Sequence, residues 1–290
     1  MGFVSSVSNF FFDAWIMSWD MSLTLLNLVR RKRRVGHVTP AGYPGYGGHW
    51  PEYRPAQEDD SRCSCPALNA MANHGIISRS GRGISFIDLN HHVRTTYNFG
   101  PSFCSYVPHF AARMLKKNYS SDTFDLEELD LHNGIEHDGS LFRLDSALEP
   151  NQSVKYVPFI EEVLASATGK DKQGHVIITS KDLSKILGKR RAVARAVNSE
   201  FSLSFFHKIF GSANSSTLLK IFGGRVDDLS SILLHERIPE GWESRVRQPY
   251  GLTMMNFNKT VLAVEFGVHE KDWAAAAEEA KRDGNIPAPN

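Results

Sequence analysis

"SRCSCPALNAMANHG", residues 61–75, sets a cysteine directly before a proline at the head of an alanine- and asparagine-rich run. Proline lacks an N–H and is pre-set for the first position of a helix. The pattern predicts a helix that opens at Pro66 and ends near Gly75. The sulfur of Cys65 then faces unpaired N–H groups and the positive end of the helix dipole. Such a setting lowers a thiol pKa and favours the anion as ligand or nucleophile. Three uses stay open. A nucleophile needs a partner among the twelve histidines. Cys63 and Cys65 can hold zinc, but no second cysteine pair exists. A buried structural thiol is the third.

The chain has 290 residues, of which 41% are hydrophobic, enough for a real core. Its net charge of +1 gives no electrostatic case for a nucleic-acid partner. Three cysteines do not make a disulfide framework, and a leftover thiol fits a reducing compartment.

Residues 3–29 are mostly apolar and run into RRKRR at 30–34. A secretory signal has the opposite order of charge and apolar core. At about 100° per residue, Asn9, Asp13, Asp20 and Asn27 share one stripe of a helix. This predicts an amphipathic helix or tilted anchor on a membrane surface through residues 3–34, with the arginines at the cytosolic interface. The alternative is a helix packed on the protein's own body. The Pro/Gly-rich residues 39–55 predict a hinge.

The remainder reads as mainly α. Thr179 and Asp182 predict a capping box at the head of a helix. Pro108 marks a boundary or kink, and strand signals are confined to short runs such as residues 175–179 and 260–266. The expected division is a helix and basic cluster at 1–38, a hinge at 39–60, a main domain at 61–267, and a helix and tail at 268–290.

A second constellation is IEHDGSLFRLD, residues 135–145. Glu136 and Ser140 stand four apart, so one helical turn would bring both oxygens to one hard cation. Oxygen donors favour magnesium, calcium or manganese over zinc.

CSCPALNAMANHG followed by EHDGSLFRLD, with ERIPEGW at 236–242, resembles the fungal haem-thiolate peroxidases, the chloroperoxidase and unspecific peroxygenase family. The resemblance covers roughly residues 49–242. It implies a helical haem-thiolate peroxidase fold with haem b bound at Cys65, Pro66, Asn69 and Ala72. Cys65 would be the axial thiolate, which favours O–O cleavage in a bound peroxide. Glu136 and Ser140 would hold a magnesium or manganese ion beside a haem propionate. His137 would lie on the distal side.

The family pairs that histidine with a glutamate. Counting from Asp182 puts that glutamate at Arg191 or Ala192, and neither is an acid. In one reading Arg191 works with His137, keeps it neutral and stabilises departing hydroxide. In another, the pocket serves a non-oxidative dehydration, rearrangement or cyclisation. In a third, the protein binds haem or a small molecule without turnover. The leading expectation is a peroxidase or peroxygenase that uses hydrogen peroxide on an apolar small molecule in biosynthesis. The N-terminal features add an expected membrane-associated location of endoplasmic-reticulum type, with the catalytic domain on the cytosolic side and secretion disfavoured.

Overall fold

A computed structural model describes residues 3–283, with side chains from Asn9 onward. The fold is mainly α. Its helices are α1 (Phe3–Val29), α2 (Pro66–Asn73), α3 (Phe86–Tyr97), α4 (Pro101–Met114) and α5 (Val157–Ala165). They continue with α6 (Ser180–Val197), α7 (Phe205–Lys220), α8 (Val226–His235), α9 (Met254–Glu265) and α10 (Ala274–Asp283). Among the described residues, strand structure is limited to two antiparallel pairs, β1 (Ile84–Ser85) with β2 (Thr123–Phe124) and β3 (Gly169–Lys170) with β4 (Val176–Ile177).

Local chemistry starts and stops these helices. Pro66 opens α2 after an extended Cys65, and Gly75 closes the turn beyond it at φ +66°. Thr179 and Asp182 form the reciprocal capping box of α6. That helix buries Leu183, Ile186, Leu187 and Val193 along one side. The main core joins Leu183, Ile186 and Leu187 to Phe86, Phe124, Ile160, Phe222 and Leu229. Each such side chain contributes about 1.5–3 kcal/mol by leaving water. Helix α7 lies along α9, and α10 along α6.

Three expectations change. Residues 260–266 are not a strand but the last turns of α9, where Val261 and Val264 enter the core three positions apart. Packing outweighs the weak β preference of valine. Pro108 neither ends nor splits α4, which runs through it.

The larger correction concerns α1. Among the described residues no helix is long and apolar enough to cross a membrane. The later part of the polar stripe of α1, Asp20 and Asn27, points into the protein. Asp20 accepts hydrogen bonds from the backbone N–H groups of Met254 and Met255, each at 2.9 Å, and from the Ser102 hydroxyl. It thus caps the N-terminus of α9, whose own Thr253 makes no side-chain cap. Thr24 bonds Thr253 at 2.7 Å, and Asn27 spans Tyr250 N and Gly251 O. Helix α1 is therefore a structural element packed on α4 and α9. Phe10, Phe11, Trp15 and Leu28 stay exposed on its outer side. The membrane-associating helix and the cytosol-facing membrane location do not hold, and nothing in the described residues supports a membrane-surface partner. The side chains of residues 3–8 and the tail at 284–290 lie outside the described residues.

Candidate active site

One cavity of about 240 Å³ brings Cys65 and Pro66 at the head of α2 to Glu136, His137 and Ser140. Its walls are mostly apolar, with Leu89, Val107, Ala111, Phe142 and Ile232 among them. The two sequence motifs, some seventy residues apart, thus meet at one space.

The Cys65 sulfur sits at the N-cap of α2, where the nearby backbone N–H groups of Leu68 and Ala67 pull its pKa down although it makes no capping hydrogen bond. The loop before it is held by Asp130, whose carboxylate accepts from Ser64 N at 2.9 and 3.1 Å. Burial nevertheless pushes the thiol above its ordinary pKa and outweighs the N–H groups and the nearby Arg143. The expected lowering by the helix end is present but loses to desolvation. Cys65 is half-buried and lines the cavity.

Asn69 and Ala72 are fully buried and do not line the cavity. Asn69 Nδ2 donates to Cys63 O at 2.7 Å and to Glu236 Oε1 at 2.8 Å, and its Oδ1 accepts from Cys63 N at 3.0 Å. It thereby fixes the loop that carries Cys65. Ala72 packs in the core. Cys63 and Cys104 are free, buried thiols.

Residues 131–147 form no helix, so Glu136 and Ser140 are not related by a helical turn. Helix α6 instead moulds this loop: Arg190 Nε donates to Ser140 O at 3.1 Å. Asp145 links Gly139 N at 2.9 Å to Asn198 at 2.9 Å. Gly139, at φ +71°, lets the loop press against Arg191, since a Cβ there would stand 3.2 Å from Arg191 Cγ.

Glu136 is buried, and one of its oxygens, Oε2, lies 2.7 Å from His132 Nδ1. Among the described residues its Oε1 has no hydrogen-bond partner, nor does Asp138 Oδ1. Burial raises the Glu136 pKa to about 7 against the opposing pull of His132. Donor atoms of His132, Glu136 and Asp138 lie within 4.8 Å of one another. Sequence reading missed His132 as a neighbour. Its only signal was a histidine four residues before the glutamate.

His137 is buried with Nδ1 2.8 Å from Asp138 O, a geometry in which Nδ1–H donates to the carbonyl. Nε2 is left as an acceptor. Burial, then the charges of Arg191 and His207, hold its pKa down to about 4. Arg191 lies behind His137 and not on the cavity. Its guanidinium makes a two-pronged pair with Glu265 of α9, both contacts at 2.9 Å. Ser212 donates to the same carboxylate at 2.6 Å. Glu265 was a second residue invisible to motif reading, because α9 carries it in from far along the chain.

The residues present fit a haem in their chemistry: a cysteine sulfur at a helix N-terminus, an orphaned buried carboxylate oxygen and apolar walls. Seating a porphyrin in about 240 Å³ requires the walls to part. The 131–147 wall has few regular backbone ladders to resist that.

A helical frame brings Cys65 and His137 to one common, mostly apolar cavity. The chain belongs to the family described as "Peroxidase, family 2", whose pattern residues 51–247 match. It is similar to the chloroperoxidase of Leptoxyphium fumago, 52% identical over 44 residues, which is 15% of this chain. The aligned stretch covers 12% of that relative's length. Membership supports an oxidoreductase-type enzyme and, in general, a haem cofactor.

Proposed function

We propose that the protein is a haem-thiolate peroxidase or peroxygenase that oxidises an apolar small molecule with hydrogen peroxide. The placement of Cys65 and His137 on one cavity carries this reading. The catalytic unit is residues 61–267. Haem, when bound, supplies an iron centre for peroxide chemistry, and a thiolate donor favours O–O cleavage. Cys65 would hold it, with Pro66 opening the helix after the sulfur and Asn69 fixing the loop. His137 Nε2 takes a proton from hydrogen peroxide and returns it to the leaving oxygen, which is general acid–base work. Arg191 acts from behind: its charge disfavours the imidazolium and keeps His137 available as a base. The apolar walls admit a hydrophobic substrate and exclude water.

A divalent cation belongs to the same proposal. Glu136 and Ser140 would hold it, and His132 and Asp138 extend the donor set. An imidazole nitrogen among the donors favours manganese over magnesium.

One observation favours a second reading. The α6 position that faces His137 carries an arginine already paired with Glu265, so no α6 carboxylate reaches the cavity. A non-oxidative rearrangement, dehydration or cyclisation needs no such acid. Stopped-flow mixing of haem-loaded protein with hydrogen peroxide separates the two. A rapid loss and shift of the Soret band supports oxidation, and an unchanged band over seconds supports the alternative.

A further inference from the structure

A second cavity, of about 260 Å³, lies between the segment after α1, the middle of α3 and the turn before α9. Arg33, Tyr43, His91, Arg94, Thr95 and Tyr250 are among its lining residues, and no carboxylate is. Two guanidinium groups therefore share a small space with an imidazole, two phenols and a hydroxyl. Arg33 is half-buried and held by Pro249 O at 3.0 Å and by Val38 O. These two carbonyls are neutral and leave its charge uncompensated. Burial, and then the like charge of Arg94, hold the Arg33 pKa below its ordinary value.

The acids nearby are engaged elsewhere. Glu243 accepts from the backbone of Gly36 and Val38. Asp88, on α3, does not line the cavity. Among the described residues, none of Arg30, Arg31, Lys32, Arg33, Arg34 or Arg94 forms an ion pair. In a chain of net charge +1, this is a local concentration of unpaired cations. Like charges held together in a partly desolvated space are costly without a counter-ion.

The geometry points to this cavity as a binding site for a small oxyanion, a phosphate or carboxylate group carried by a small molecule. Arg33 and Arg94 would supply charge-assisted donors, and the tyrosine and threonine hydroxyls the neutral ones. A half-open pocket of this small volume with two tyrosines in its walls fits a small ligand better than an extended polyanion.

Inorganic phosphate is the probe, titrated calorimetrically into the full chain against sodium chloride of equal ionic strength. We expect saturable binding of one phosphate per chain. Arg94→Gln should weaken it at least about tenfold, the effect of losing one charge-assisted bond. Arg94 is exposed with no side-chain partner, so circular dichroism should show an unchanged fold. Arg94→Glu, which offers Arg33 an internal partner, should abolish binding. Arg31→Gln, in the basic run but outside the cavity, should keep it. Absent or unsaturable binding overturns the site. Equal weakening by Arg94→Gln and Arg31→Gln also overturns it, leaving diffuse attraction to the basic run.

Discussion

Glu236 and Asn69 join across a buried gap of 2.8 Å, which ties the end of α8 to the helix that presents Cys65. Glu236 also carries the charge opposite buried Arg143, at 3.4 Å, and its carbonyl accepts from Asn73 Nδ2 at 3.1 Å. The third sequence block, beginning at Glu236, therefore serves the cysteine loop from the far side. Replacing Glu236 by leucine leaves Arg143 buried and unpaired, at a cost of about 3–5 kcal/mol. Urea denaturation should show that loss. Glu236→Gln, which keeps an acceptor for Asn69, should lose clearly less. Equal losses would mean that the Asn69 contact does not matter.

The Arg191–Glu265 pair makes a pH prediction. Burial works to raise the Glu265 pKa, but hydrogen bonds from Arg191 and Ser212 outweigh it, and the net shift is downward. A carboxyl whose folded pKa lies below its unfolded value of about 4.3 adds stability above that value. The contribution disappears as pH falls through the folded pKa. Glu265→Gln should therefore lose stability at pH 7 and show a flatter acid limb below about pH 4. Parallel limbs in the two proteins would remove Glu265 from the account.

The same pair changes how an arginine variant must be read. Arg191→Leu alone strands Glu265 and is expected to unfold the site, so loss of activity in it says little about catalysis. Arg191→Leu combined with Glu265→Leu removes both charges together. The double variant should fold and bind haem, and the His137 pKa, followed by NMR, should rise toward its ordinary value. A His137 pKa that stays put would show that burial alone sets it.

Gly211 offers a test of His137 that leaves its chemistry intact. A Cβ at Gly211 would lie 3.1 Å from His137 Cε1 and 3.4 Å from Nε2. Gly211→Ala should push the imidazole off its position and slow the reaction with peroxide at least about tenfold, equivalent to about 1.4 kcal/mol of barrier. Helix propensity gained and crowding added nearly offset each other, so stability should move by no more than about 2 kcal/mol. An unchanged peroxide rate would show that His137 Nε2 is not the group that moves the proton.

Manganese provides a direct probe of Glu136. Titration of the haem-loaded protein with Mn²⁺, followed by electron paramagnetic resonance, should show bound ion. Glu136→Gln should lose most of it, and His132→Ala should weaken it by about 10–100-fold if the imidazole is a ligand or supports one. Full binding in Glu136→Gln would place the ion elsewhere.

Much of this was legible in the chain. Cys65–Pro66 announced a helix start because proline can occupy only a few positions, and Thr179 with Asp182 announced another. The stripe of Asp20 and Asn27 was also visible, but not the side it faced. A polar stripe reads the same whether it meets water or, as here, caps a distant helix. His132 and Glu265 were unreadable for a related reason. Their roles come from neighbours that only tertiary packing supplies. The thiol of Cys65 shows a third limit: the helix end was foreseeable, but the burial that outweighs it was not.

The central claim is that the sulfur of Cys65 bonds to haem iron. The absorption spectrum of the haem-loaded, reduced protein under carbon monoxide tests it most directly. A Soret band far to the red of a histidine-ligated haem, absent in Cys65→Ala, is the predicted result. A band at the histidine-ligated position, or an identical spectrum in Cys65→Ala, would contradict it.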